Sequence, residues 1–283
     1  MALTDRAFSK IEKYSEFTKS IPFVRRFMRS MIVFLVDIFA RMSEWYFPEK
    51  FPWDWKLEML LGRYEKETTD LFKKIVRPGM TVVDIGAHIG YFTRLCSQLV
   101  GPTGRVIAFD ADKTNFNLLS QNIKKLRHNN VVLVNKAVSD KDGTIEFYNV
   151  YNKTGSHSII VPKALFEKTV VSSVTLDAFL QESNIVNVDV IKIDIEGGEY
   201  YAFLGMKKLF KQKPPLYIVS EFCPKHLRNA DIDPMQFLKT MQGYGFQIHE
   251  VLPGGACKPL ALQDLPHLPF YDMGYTNLFL RKN

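Results

Sequence analysis

Beyond residue 60 the chain alternates short apolar runs with stretches of helical spacing. "MTVVDIGAHIG" reads as a buried strand entering a glycine loop, "YFTRLCSQLV" as a helix and "GRVIAFDAD" as a second strand. "NFNLLSQNIKKL" then reads as a helix, "VVLVNKAVSD" as a third strand, and "SVTLDAFLQES" as a strand end running into a helix. The strand "VDVIKIDI", the helix "EYYAFLGMKKLF" and the strand "LYIVSEF" continue the pattern, and "PMQFLKTMQGYG", "FQIHEVL" and "TNLFLRK" close it. Strands joined through helices at this spacing imply βαβ units, and so a doubly wound α/β domain whose mostly parallel sheet is covered on both faces.

The first 60 residues follow a different pattern. Ile21 to Met42 is apolar except for Arg25, Arg26, Arg29, Ser30, Asp37 and Arg41, which recur near a period of 3.6 and draw a narrow polar stripe on one helix. Its longest uncharged run, Ser30 to Val36, is far short of the roughly 18 apolar residues of a membrane span. Two readings fit this helix: one lies in a membrane interface, the other packs on the rest of the chain or on a second copy. The aromatic cluster "WYFPEKFPWDW", with Pro48 and Pro52, reads as irregular chain acting as interfacial anchor, pocket lid or packing. The division expected is an extension over residues 1–60 and a main domain over 61–283, with peripheral membrane contact through residues 21–55 or a homo-oligomer as its possible uses.

Composition narrows this modestly. With 283 residues, 46% hydrophobic and 24% charged, the chain can bury a sizeable core and shows no low-complexity run. The net charge of +7 favours anionic encounters but names no reaction. Cys96, Cys223 and Cys257 are too far apart for a disulfide framework or a close-set zinc pattern, which fits a reducing, cytoplasmic setting, membrane-peripheral if the first helix binds lipid.

In a doubly wound fold, ligands sit beyond the carboxyl ends of the strands, where strand order reverses. "VVDIGAHIGYF" occupies that place. Gly86 and Gly90 permit turns and close approach, while Asp84 brings a carboxylate to the loop. That acid argues against a dinucleotide pyrophosphate and suits a ligand with positive charge, such as the ammonium and sulfonium of S-adenosylmethionine. Asp110 ends the next strand, where it can accept hydrogen bonds from ribose hydroxyls.

"VVDIGAHIGYFT", "GRVIAFDAD", "NKAVSDKDGTIEFY", "VDVIKIDIEGGEYYAFLG" and "LYIVSEF", in that order, resemble class I S-adenosylmethionine-dependent methyltransferases and, more narrowly, the FkbM family. The resemblance implies a Rossmann-like, seven-stranded sheet, S-adenosylmethionine as cofactor, and O-methylation of a hydroxyl on a sugar, glycan, polyketide or other small molecule. It also implies that Asp84, Gly86, Ala87 and Gly90 line the methionine end, that Asp110 holds the ribose, and that the turn of Asn135, Lys136, Ala137 and Val138 borders the adenine; His88, Ala111 and Asp194 complete the expected cofactor contacts. His88 stands where the family often has asparagine, and Ala111 follows Asp110 where the family often has a Glu-Pro pair, so that the proline is lost.

In "VDVIKIDIEGGEYY", alternation puts Lys192, Asp194 and Glu196 on one side of a strand and Ile191, Ile193 and Ile195 on the other. A covered parallel strand seldom offers a solvated face, so Lys192 needs a carboxylate partner, Asp194 or an acid of a neighbouring strand. Asp194, Glu196 and Glu221 are therefore expected to converge as catalytic residues, with Glu199 at the start of the next helix. Whether they take a proton, hold a divalent cation or only orient the acceptor is open at this point. Among the histidines, His88 and His157 are candidates for ligand contact; His128, His226, His249 and His267 are assigned to surface or packing, and no metal ligand is named because no pair has ligand spacing. No nucleic-acid partner is expected, since the positive charge is spread out and no aromatic-basic RNA module appears. The alternatives are an RNA or protein methyltransferase, or a non-catalytic membrane-associated binding protein that keeps the fold.

Overall fold

In the computed structural model, which describes residues 22–126, 129–150, 157–158, 166–211 and 215–282, three helices lead into the sheet. They are α1 (Pro22–Met42), α2 (Trp53–Leu60) and α3 (Lys66–Ile75). Then β1 (Thr81–Ile85), α4 (Tyr91–Val100), β2 (Arg105–Phe109), α5 (Lys113–Ile123) and β3 (Val131–Val134) run one way from the centre. After a smaller sheet and α6 (Leu176–Glu182), β8 (Val190–Ile193), α7 (Glu199–Leu204) and β9 (Leu216–Phe222) run the other way. The helices α8 (Pro224–Asn229) and α9 (Pro234–Gly243), the hairpin β10 (Gln247–Leu252) and β11 (Ala256–Pro259), the short α10 (Phe270–Met273) and β12 (Thr276–Lys282) complete the chain.

The sheet order is β11-β10-β12-β9-β8-β1-β2-β3. The five strands from β9 to β3 are parallel, whereas β12 is antiparallel to both β9 and β10. The expected Rossmann-like, doubly wound architecture is present, with β11 added as an eighth strand at the edge. β1 follows the core logic of such a sheet: Val83 and Ile85 enter one hydrophobic cluster with Ile191, Ile193 and Ile218, while Val82 enters the other with Phe72, Phe92 and Val190. Strand order reverses between β1 and β8, so the crevice lies at their carboxyl ends.

Between β3 and α6 stands a second, four-stranded sheet of order β4-β7-β5-β6, formed by β4 (Ala137–Val138), β5 (Gly143–Val150), β6 (His157–Ser158) and β7 (Phe166–Val174). The apolar run "VVLVNKAVSD" reads as one strand but is two, because the chain leaves the main sheet at Asn135 and Ala137 joins Ser173 of β7. The side chain of His157, a candidate for ligand contact, and all of His128 fall outside the described residues.

The aromatic segment before α2 packs rather than hangs free. Tyr46 donates its amide to Asn122 Oδ1 at 2.7 Å and receives the Asn122 side-chain amide at 3.0 Å, tying this segment to α5. Arg94 stacks over Trp45 at 4.4 Å, and the Phe51 ring lies 5.9 Å from that of His88. The segment read as irregular up to Trp55 in fact turns helical at Trp53, directly after Pro52, a residue suited to that boundary. On α1, Val36 and Ala40 are buried while Phe27, Phe34, Leu35 and Met42 are exposed. Among the described residues no helix is long and apolar enough to cross a membrane.

Candidate active site

The loop after β1 is shaped by close approach. Gly86 has φ 84°, and a Cβ there would run into the carbonyl oxygen of Asp194, so only glycine lets the β1 and β8 loops meet. The amides of Gly86 and Ala87 both donate to the Phe109 carbonyl, at 3.0 and 2.9 Å. His88, at φ 52°, gives its amide to Asp110 Oδ2 at 2.7 Å, and Asp112 gives its amide to Oδ1 at 2.9 Å. Asp110 is thus locked in place from both sides, and burial pushes it well above the ordinary carboxylate range despite those two bonds. Asn135 supports it from behind by donating to the carbonyls of Asp110 and Ala111, at 2.9 and 3.3 Å.

A crevice opens here, walled by Ile85, Phe109, Val138, Phe147 and Ile195 and edged by Asp110, Asp112 and Asn115. Of the residues predicted for the cofactor, Gly86, His88, Asp110, Ala111, Lys136, Ala137 and Asp194 line it. Asp84 and Ala87 line the adjoining pocket instead. Gly90 touches neither; it caps α4 at φ 97°, and a Cβ there would press on Leu119. Asp112 and Asn115, unnoticed in the sequence, could have been found from the helix cap, since Asp112 accepts the Asn115 amide at 2.7 Å.

The adjoining pocket is acidic. Asp84 and Lys192 are register partners on β1 and β8, and both are buried on the side facing α4. Thr93 donates to Asp84 Oδ2 at 2.6 Å, while Asp84 Oδ1 is buried without a hydrogen-bond partner. Lys192 Nζ reaches Asp194 Oδ2 at 2.9 Å and sits 4.6 Å over the Phe92 ring. Burial alone would lower the lysine pKa, but Asp194, Glu65 and Asp84 together hold it above its ordinary value.

Three further carboxyls bear on this charge. Burial raises Glu65 to about 7 against the pull of Lys192, with Asp194 and Asp84 adding to the rise. Burial, with Asp194, Glu199 and Glu196 beside it, pushes Glu221 up to about 10. Burial raises Glu199 to about 7; its Oε1 accepts the Ile195 amide at 3.0 Å, which makes it a brace for the β8 loop.

Asp194, Glu196 and Glu221 line one pocket, although not by strand alternation alone. β8 ends at Ile193, and Glu196 is placed by a left-handed turn at φ 52° that ends the alternation predicted through it. His226 corrects its assignment to surface or packing. It lines the same pocket, and one ligand atom each from Glu196, Glu221 and His226 lie within 4.8 Å of one another. Glu65, absent from the sequence reading, arrives from the turn before α3 at φ 43°; no local pattern signals it.

These features suit S-adenosylmethionine. The glycine cradle at Gly86 admits backbone-close approach, the unsatisfied Asp84 Oδ1 offers an acceptor for an ammonium, and Asp110 offers one for ribose hydroxyls.

Comparison with known proteins agrees on the chemistry and changes the expected partners. The chain is 32% identical over 107 residues to ribosomal RNA large subunit methyltransferase E of Pseudomonas fluorescens, covering 33% of this chain and 46% of that protein. It is 28% identical over 117 residues to the protein of the same name from Hahella chejuensis, covering 36% and 52%. The chain thus spans about half the length of the curated relatives it matches. A solved structure, precorrin-6y C5,15-methyltransferase from Geobacter metallireducens, aligns at 12% identity over 85% of this chain and 96% of that one, with a TM-score of 0.46. The expectation of a small-molecule or glycan acceptor with nucleic acid excluded does not stand against relatives named for ribosomal RNA. The methyltransferase FkbM domain matches residues 84–248, more than half of the chain. The chain belongs to the FkbM methyltransferase family, whose methyl donor is S-adenosylmethionine.

Proposed function

We propose that this protein is an O-methyltransferase acting on a hydroxyl of RNA. The observation that carries the reading is that Asp194 and Glu196 line both the cofactor crevice and the acidic pocket, so an oxygen entering the pocket meets carboxylates at the edge of the donor site. When bound, S-adenosylmethionine supplies an activated methyl group. This chain's residues hold the acceptor in line and receive its proton. Asp194, with Oδ2 held by Lys192, orients the hydroxyl, and Glu196 offers a second acceptor.

An acidic pocket rejects phosphate but admits a neutral hydroxyl. Along RNA, the 2′-hydroxyl is the free hydroxyl on each sugar. The exposed Lys136 at the crevice and Lys225 at the pocket rim suit phosphates kept outside, in keeping with the net charge of +7. The relatives named for ribosomal RNA support the same acceptor class. A cytoplasmic setting belongs to this reading and is supported by three free cysteines.

The test is transfer of tritiated methyl from S-adenosylmethionine to ribosomal RNA, followed by digestion to nucleosides. Label on a ribose oxygen is expected. RNA left unlabelled, or label on a base, would overturn the reading.

A further inference from the structure

We infer that Glu196, Glu221 and His226 form a binding site for one divalent first-row transition-metal ion. The three come from separate places: the loop after β8, the carboxyl end of β9 and the first turn of α8. Their ligand atoms nonetheless lie within 4.8 Å of one another, the spread that ligands around one ion require.

Unused bonding capacity points the same way. Glu221 Oε2 and His226 Nδ1 are each shielded from solvent, and neither has a hydrogen-bond partner. A buried polar atom left unsatisfied is costly, so two of them on residues that line one pocket call for an occupant that both can bind. A cation satisfies an imidazole nitrogen lone pair and a carboxylate oxygen together.

The donor set narrows the ion. Two carboxylates and an imidazole match manganese, iron or zinc better than calcium or magnesium, which favour all-oxygen surroundings. Three protein ligands leave coordination positions open, and Glu196 also borders the cofactor crevice, so an open position faces the donor side. The role of the ion rests on the reading above: it polarises the acceptor hydroxyl, whose oxygen–carbon bond forms as the donor's sulfur–carbon bond breaks and whose proton passes to the pocket carboxylates.

The experiment is titration of the chelator-treated full chain with Mn2+, followed by loss of the free-ion electron paramagnetic resonance signal, with Zn2+ as competitor. One ion per chain is expected, with affinity falling at least about tenfold in Glu221→Gln and in His226→Phe. Calorimetry with S-adenosylhomocysteine should show cofactor binding unchanged in both variants, which verifies that they fold. Absence of binding at millimolar Mn2+ and Zn2+, or binding that survives both substitutions, overturns the site. Methyl transfer at full rate in chelator would remove the ion's catalytic role while leaving the methyltransferase reading intact. Stoichiometric metal binding without RNA methylation would leave the site standing and remove the RNA reading.

Discussion

Lys192 Nζ lies 2.9 Å from Asp194 Oδ2, with the lysine side chain 5% exposed and the aspartate 33% exposed. The pair is asymmetric: the ammonium is fully committed to the protein interior, while the carboxylate keeps one side toward the pocket. Lys192→Met would leave Asp194, Glu65 and Asp84 without the cation they share. Because Asp194 retains some water, the expected loss is about 3 kcal/mol, the lower end for a broken buried pair. Urea unfolding should show it at neutral pH, and the deficit should shrink in acid as the carboxylates take up protons. A variant as stable as the parent at pH 7 would mean the lysine is not their counter-charge.

Glu65 gives stability a pH dependence. Its folded pKa of about 7 lies above the ordinary carboxylate value, so the folded state holds the proton more tightly. Its contribution is fully present below the unfolded pKa and is lost as pH rises through about 7. Glu65→Gln should therefore be more stable than the parent at pH 8 and gain nothing at pH 4. At about 1.4 kcal/mol per pKa unit, reduced for partial exposure, a gain of about 1–2 kcal/mol is expected. Thermal melts across that range check the sign.

Gly86→Ala should abolish cofactor binding. The new Cβ meets the Asp194 carbonyl at a backbone conformation that alanine resists, so the loops after β1 and β8 must separate. Strain of about 1–3 kcal/mol is expected in stability, and calorimetry with S-adenosylhomocysteine should register no heat. Retained binding would show that the crevice does not depend on this approach.

Asn122 joins the N-terminal aromatic segment to the main sheet. Its side chain accepts from the Tyr46 amide and donates to the carbonyls of Tyr46 and Ile89, at 2.7, 3.0 and 2.8 Å. Asn122→Leu strands these backbone groups and should destabilise the chain by about 2–3 kcal/mol. Hydrogen exchange should show residues 45–52 losing protection ahead of β1; uniform loss across the sheet would contradict a local tie.

The layered α/β class and the glycine-aspartate loop after the first strand were legible in the order of residues. Both are written locally: apolar runs such as "TVVDI" become covered strands, and glycine and aspartate at a strand end dictate what backbone and charge can lie there. The partnership of Lys192 with Asp194 was legible for the same reason, because residues two apart share a side of a strand. The rest depends on contacts between segments far apart in the chain. Glu65 precedes β1 by a helix and His226 follows β9 by a turn, yet both line one pocket, a convergence set by packing between distant segments. Periodicity likewise predicted Glu196 on the strand, but a left-handed turn releases it from β8, and no alternation encodes where a chain stops alternating. The small sheet is a case of the same kind: β7 pairs with β4 and β5 across the chain, and its hydrogen-bonding partners, not its own pattern, set its place.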